Sequence, residues 1–309
     1  LVPELFSYLQ GIVDTDDTPG RFVVTGSQNF ALSSQITQSL AGRIGIATLL
    51  PLSLSEIPDT KTWQTMIISG GYPRLHKYTI APDTFYPSYM KTYIERDVRQ
   101  IKNIEDLSTF HRFVKLCAGR TGQLLNLTSL AQAAGITDMT ARRWLSVLEA
   151  SFIVFYLQPY HQNFNKRLIK SPKLYFYDTG LACSLLDINS TEQLDTHYHQ
   201  GALFENLVIS ELKKERLHRG RWSNLYFWRD RTGNEVDVIA EWGANLHAIE
   251  IKSSQTFNPS LLAGLQKLQS FADTPIYKHL VSNSVDTGLH LDVELTALQG
   301  ISSLVEKWL

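Results

Sequence analysis

Residues 233–254, GNEVDVIAEWGANLHAIEIKSS, decide how the chain is read. Two runs within it, EVDVIAEW and HAIEIK, are apolar enough to predict two buried strands. Each nevertheless carries a carboxylate, Asp237 and Glu250, and the second adds Lys252. Residues two apart on a strand share a face, so Glu250 and Lys252 point one way while Ile249 and Ile251 point the other. A hairpin through GANL can bring Asp237 opposite Glu250. Carboxylate oxygens held rigidly beside an ammonium suit a divalent cation that activates water for attack on a phosphodiester. Asp237, Glu250 and Lys252 are therefore the candidate catalytic set, with Asp237 and Glu250 as the Mg2+ ligands. Glu205, on the helix GALFENLVISELKKERL before the sheet, could add a further oxygen. Glu235 and Glu241 read as ordinary exposed charges. The plain alternative is a solvated sheet face.

Working outward, the 309 residues are 43% hydrophobic and 11% aromatic, ample for packed cores in two or three domains. The net charge of −1 predicts no polyanion partner from global charge, so any basic surface must be local. Two cysteines, Cys117 and Cys183, make neither a disulfide framework nor a metal cluster, which fits a reducing, cytoplasmic setting. No apolar run reaches the roughly 18 residues of a membrane span. The His-x-His of DTHYHQ (His197, His199) lies in a polar loop and reads as chance.

Residues 1–60 alternate helix and strand: LVPELFSYLQGIVD, then RFVVTGS, a helix over 33–41, then IGIATLLPLS. They predict the last units of an open α/β sheet. The pattern opens mid-course at Leu1, which predicts an upstream α/β region. Residues 61–122 read as helical, with a stop at Gly70–Gly71. Residues 123–185 give a helix, a turn capped by Thr137 or Asp138, and a second helix. Two aromatic-rich strands, FIVFYLQPY and KLYFYDTG, follow, and the whole is the plan of a winged helix-turn-helix. Arg142 and Arg143 on the second helix, with Lys166, Arg167, Lys170 and Lys173 in the wing, are candidate nucleic-acid contacts, and Glu149 is the only acid from 140 to 173. Residues 200–309 predict a long amphipathic helix, three strands, a helix, a fourth strand at YKHLVSN and a helical tail, VELTALQGISSLVEKWL.

The order helix, strand, strand with Asp, strand with Glu-x-Lys resembles the PD-(D/E)XK, or restriction-endonuclease-like, nucleases. The Pro that usually precedes the Asp is absent. A wider resemblance covers nearly the whole chain. RFVVTGSQNFALSSQITQSLAGRIGIATLLPLSLSEI looks like the closing part of an AAA+-type ATPase domain. GGYPR, YIERDV, SPKLYFYDTGLA and FENLVISEL…GNEVDVI…EIKSS resemble its companion, domain of unknown function 4143. The implied fold class is mixed α/β and α: a partial P-loop ATPase α/β remnant, a winged helix and a restriction-endonuclease-like α/β domain.

In such an ATPase a Gly-rich loop ending in Lys-Ser/Thr cradles phosphates. No such loop occurs; GRTGQLL at 119–125 lacks the lysine and does not follow a strand. The resemblance thus implies ATP binding only together with an upstream part, and no ATP hydrolysis by this chain alone. It makes Ser27 a sensor-like residue, and Arg43 and Arg96 candidates for acting on a phosphate in cis or in trans, the latter implying a homo-oligomer. Three functional readings stay open: a Mg2+-dependent nuclease, a non-catalytic DNA- or protein-binding module on a nuclease-like scaffold, or ATP hydrolysis by a full-length form.

Overall fold

The computed structural model describes residues 5–16, 18–25, 42–58, 61–94, 106–160, 170–242, 245–254, 258–272, 275–283, 287–290 and 292–308. Helix α1 (Leu5–Thr15) forms where its apolar spacing places it. Among the described residues, the strands expected at 21–27 and 44–53 do not form; residues 26 and 27 lie outside the described residues. Residues 22–25 and 44–50 carry no regular structure, and Val23, Ile46 and Leu49 are exposed. A β-prone run becomes a strand only with a ladder partner, and among the described residues nothing pairs with these. The helix expected over 33–41 lies outside the described residues.

The middle of the chain is helical as expected. Helix α2 (Trp63–Ser69) is capped by the Thr62 side chain and stops at Gly70. Helices α3 (Pro73–Lys77) and α4 (Pro82–Tyr89) follow, the latter running into a π turn, Met90–Ile94. Helices α5 (Leu107–Ala118), α6 (Leu127–Ala134) and α7 (Asp138–Ala150) pack in succession. Thr137 caps α7, accepting from the Thr140 N–H. Strands β1 (Val154–Pro159) and β2 (Lys173–Phe176) pair antiparallel, followed by helices α8 (Thr179–Leu185), α9 (Thr191–Thr196) and α10 (Gln200–Leu217).

Strands β3 (Leu225–Arg229), β4 (Glu235–Trp242) and β5 (Asn245–Lys252) form an antiparallel meander. Helix α11 (Ala263–Gln269), strands β6 (Tyr277–Ser282), β7 (Gly288–His290) and β8 (Val293–Ala297), and helix α12 (Ile301–Glu306) complete the order. The described strands make one mixed sheet, β2-β1-β3-β4-β5-β6-β8-β7. The pair expected as a separate wing belongs to it, because β1 runs parallel to β3, with Gln158 beside Tyr226 and Pro159 beside Phe227. The tail is not helical throughout: VELTA is β8, parallel to β6. Val, Leu and Ala alternate there with Glu and Thr, the period of a strand, and β6 supplies the ladder.

Helix α10 is not amphipathic but buried almost all round, including Glu211, Lys214, Glu215 and Arg216. A helix buried on every side must pair its charges internally. Glu211 and Lys214 pair at 2.6 Å and together grip the strap 50–57, which ends in a 3-10 turn, Leu54–Glu56. The Leu54 N–H donates to Glu211 Oε2 at 2.6 Å, Lys214 Nζ donates to the Leu52 carbonyl at 3.0 Å, and the Leu50 N–H donates to His218 Nε2 at 3.1 Å. The end of the helix thus supplies partners for backbone groups that no strand pairs with here. Asn206 does the same for Phe176 of β2, with both bonds at 2.8 Å.

The motifs GGYPR and YDTGLA meet on Asp178. Its carboxylate accepts from the Gly71 N–H (2.7 Å), the Tyr86 hydroxyl (2.8 Å) and the Leu181 N–H (2.9 Å). Gly70 is required beside it: φ is 61°, and a Cβ would stand 2.2 Å from the Tyr86 hydroxyl and 2.4 Å from Asp178 Oδ1. Asp178→Ala leaves the buried Gly71 and Leu181 N–H groups without this acceptor, while the Tyr86 hydroxyl keeps the Ser69 carbonyl at 2.8 Å; it should cost about 3 kcal/mol, whereas Ser190→Ala, which removes the cap of α9, should cost only about 1 kcal/mol. Urea unfolding of the two variants measures the difference.

Candidate functional site

The β4–β5 pairing sets Val238 opposite Ile249; one step further along that register stand Asp237 and Glu250. Asp237 Oδ2 accepts the Ile251 N–H at 2.8 Å and lies 3.4 Å from Lys252 Nζ. Lys252 Nζ in turn lies 2.7 Å from Glu250 Oε1. Both carboxylates are buried, at 7% exposure each. The three residues expected from the strand periodicity therefore form one contiguous group, not a solvated face.

Glu205 reaches the group through residues the sequence reading did not assign to it. Lys173 at the start of β2 is 3% exposed. Its ammonium lies 3.1 Å from Glu205 Oε1 and also ion-pairs with Glu235. The Tyr175 hydroxyl donates to the same Glu205 oxygen, and Arg229 Nη1 is 3.2 Å from Glu235 Oε2. Lys173 is thus a buried member of the carboxylate group, not an exposed wing cation. Glu235 is not an ordinary surface charge either; standing two residues before Asp237, it shares that residue's strand face. Glu241 accepts the Tyr160 hydroxyl at 3.2 Å. Helix α11 closes on the group at Gly264, where a Cβ would stand 2.0 Å from the Glu235 carbonyl oxygen and 3.6 Å from Glu250 Oε2.

Burial and then the Asp237 carboxylate outweigh Lys252, so the Glu250 carboxyl is pushed up to about 8. Burial, and less strongly Asp237, also raises Glu205, against the pull of Lys173. Burial opposes the charge on Lys173 and Lys252, but the surrounding carboxylates prevail and raise both. Three basic side chains (Lys173, Arg229, Lys252) thus stand among four acidic ones (Glu205, Glu235, Asp237, Glu250).

The Mg2+ implied by the resemblance can be tested against these donors. Among the described residues no group of three or more His, Cys, Asp or Glu side chains is placed to hold a metal ion. Magnesium, however, commonly takes one or two carboxylates and fills the rest with water. Asp237 and Glu250 fit that mode, because Glu250 Oε2 is buried without a hydrogen-bond partner, an oxygen with unused capacity.

The raised Glu250 carboxyl makes a prediction for the metal-free protein. Below its ordinary 4.5 the group is protonated both folded and unfolded and costs nothing. From there up to about 8 only the unfolded chain releases the proton, so stability falls as pH rises. Glu250→Gln should therefore shrink the loss of Tm between pH 5 and pH 8 by about 3 °C or more, read by thermal unfolding across that range.

The other expected site residues lie elsewhere. Arg142 and Arg143 are exposed on α7. Lys166 and Arg167 fall outside the described residues, as do Ser27 and Arg96. Arg43 pairs with Asp14 at 2.7 Å on the surface. His197 and His199 stack on one another and belong to no metal-binding group among the described residues. No described helix is long and apolar enough to cross a membrane.

Comparison with known proteins places these elements. Residues 1–58 match the AAA domain family, residues 60–192 a domain of unknown function (DUF8612), and residues 200–298 a domain of unknown function (DUF4143). These matches are consistent with an AAA-type, ATPase-like protein that carries DUF4143 toward its C-terminal end. An uncharacterized protein of Mycobacterium tuberculosis and one of Mycobacterium bovis are each 30% identical over 272 residues, 87% of this chain. The chain spans 60% of the length of these relatives. No solved structure gives a significant match. The carboxylate group straddles two of the matched segments: Lys173 and Tyr175 lie in the DUF8612 stretch, and the remaining members lie in the DUF4143 stretch.

Proposed function

We propose that this AAA-type protein acts on nucleic acid through a nuclease-like site at Asp237, Glu250 and Lys252. The observation that carries the reading is the buried Asp237–Glu250 pair, one of whose oxygens is unpartnered, with a partly exposed lysine between them. A magnesium ion at this pair would polarise the phosphate and lower the pKa of its bound water. Asp237, fixed by the Ile251 N–H, and Glu250 would be the ligands. Lys252, a third exposed, can hold the attacking water and stabilise charge developing on the phosphate. Glu205 would assist from α10. The fold reading that goes with this is a restriction-endonuclease-like meander joined to a winged helix. The AAA-type segment would bind ATP in the longer protein, with Ser27, Arg43 and Arg96 as its nucleotide-sensing residues, and a homo-oligomer would let those arginines act in trans.

Purified protein should nick plasmid or cut single-stranded DNA with Mg2+, and Asp237→Ala should lower the rate by at least about 100-fold. Clean protein that neither cleaves nor binds Mg2+ would remove the nuclease reading.

A second reading, a non-catalytic binding module on the same scaffold, draws on one observation: Lys173, Arg229 and Lys252 already neutralise the carboxylates. DNA binding that survives Glu250→Ala and Lys252→Ala, with no cleavage by the parent protein, favours it. In both readings α7 would contact DNA phosphates. Replacing Arg142 and Arg143 by Ala should weaken binding across sequences and reduce the slope of log K against log salt by about 2.

A further inference from the structure

We infer that Lys173 is a positioning residue of the carboxylate site, so that the site is built jointly by the DUF8612 and DUF4143 stretches. The inference deepens the nuclease-like reading and rests on it for its catalytic consequence, but not for its geometry. Lys173 is the first residue of a strand whose remaining residues, Leu174, Tyr175 and Phe176, are all buried. Its ammonium crosses the Phe227 ring of β3, 5.6 Å from the centroid, and ends between two carboxylates on different elements, Glu205 of α10 and Glu235 of β4. Tyr175, two residues along the same strand, also bonds Glu205. A third contact comes from the loop before α6: the Gly122 N–H donates to the Leu174 carbonyl at 2.8 Å, and a Cβ on Gly122 would lie 3.8 Å from both Glu205 oxygens.

Among the described residues, the hydrogen-bond and ion-pair partners of Glu205 are Lys173 and Tyr175, both of the preceding stretch. A buried ammonium shared by two carboxylates is a costly arrangement if its only role is stability, since apolar side chains of similar volume usually serve as well. What it achieves is geometric. It fixes the side of the group from which Glu205 faces Asp237 and Glu250, and it ties β4 to the end of β2, three strands away in the sheet. Side chains that support a reacting group in this way are expected to govern turnover more than substrate binding.

The test compares the whole chain with its Lys173→Met, Lys173→Arg, Glu205→Gln and Lys173→Met/Glu205→Gln variants, using Mg2+-dependent cleavage of a single-stranded oligonucleotide, Mn2+ binding and thermal unfolding. The expected result is a kcat lowered at least tenfold by Lys173→Met with KM for DNA within twofold, partial rescue by Lys173→Arg, and a double variant no slower than the worse single. Unchanged kcat in Lys173→Met, or multiplicative losses in the double variant, would overturn the inference. If the parent protein neither cleaves nor binds Mn2+, the nuclease reading fails by itself. The thermal cycle then decides the clamp: strongly non-additive Tm losses for Lys173→Met and Glu205→Gln uphold it, and additive losses overturn it. Should Lys173→Met not fold, Lys173→Arg paired with Glu205→Gln carries the same cycle.

Discussion

The charges inside α10 are the constraint on which the rest of the molecule depends. A helix wrapped by sheet and helices cannot turn its acids and lysines to water, so each must find a partner within the protein. Glu211 and Lys214 find it in one another and in the backbone of the strap. Glu205, two turns earlier, finds it in Lys173 and Tyr175. One helix thus holds the end of the AAA-type segment with its second half and the carboxylate group with its first. The segments matched by separate families meet along this axis, and the charges that would be unfavourable in an ordinary core are what align them.

Much of this was legible in the sequence, and the parts that were not share a cause. Asp237, Glu250 and Lys252 were visible because strand periodicity is local: a residue's face follows from counting by two. The cap at Thr137 and the stop at Gly70 were visible for the same reason. Lys173 was read as a wing cation because nothing near it in sequence betrays a carboxylate; its partners arrive from α10 and β4. Glu235 could have been found by the same counting that found Lys252. The runs at 22–25 and 44–50 have strand composition without strands, since composition does not supply a ladder. VELTA was absorbed into the helix that follows it, although its period is two.

The electrostatics of the site follow from its enclosure. In open solvent four carboxylates and three cations would titrate near their ordinary values. Buried together, the balance is set by which charge is least well compensated, and that is Glu250, whose inner oxygen has no partner and whose proton is held up to about 8. A cation entering the group competes with that proton.

The parallel contact between β1 and β3 spans two residue pairs, one of them at Pro159, which has no N–H to give. Tyr160 supplies the missing bond, its N–H donating to the Phe227 carbonyl at 2.7 Å. So short a ladder between much longer ones is a seam, and in a fluctuating protein seams open before the panels they join. Behind this one sits the Lys173 ammonium, reaching across Phe227 into the carboxylates. Parting β1 from β3 would draw that charge out of the group and leave Glu205 and Glu235 uncompensated, so the smallest joint in the sheet is also the one whose opening changes the chemistry of the site most.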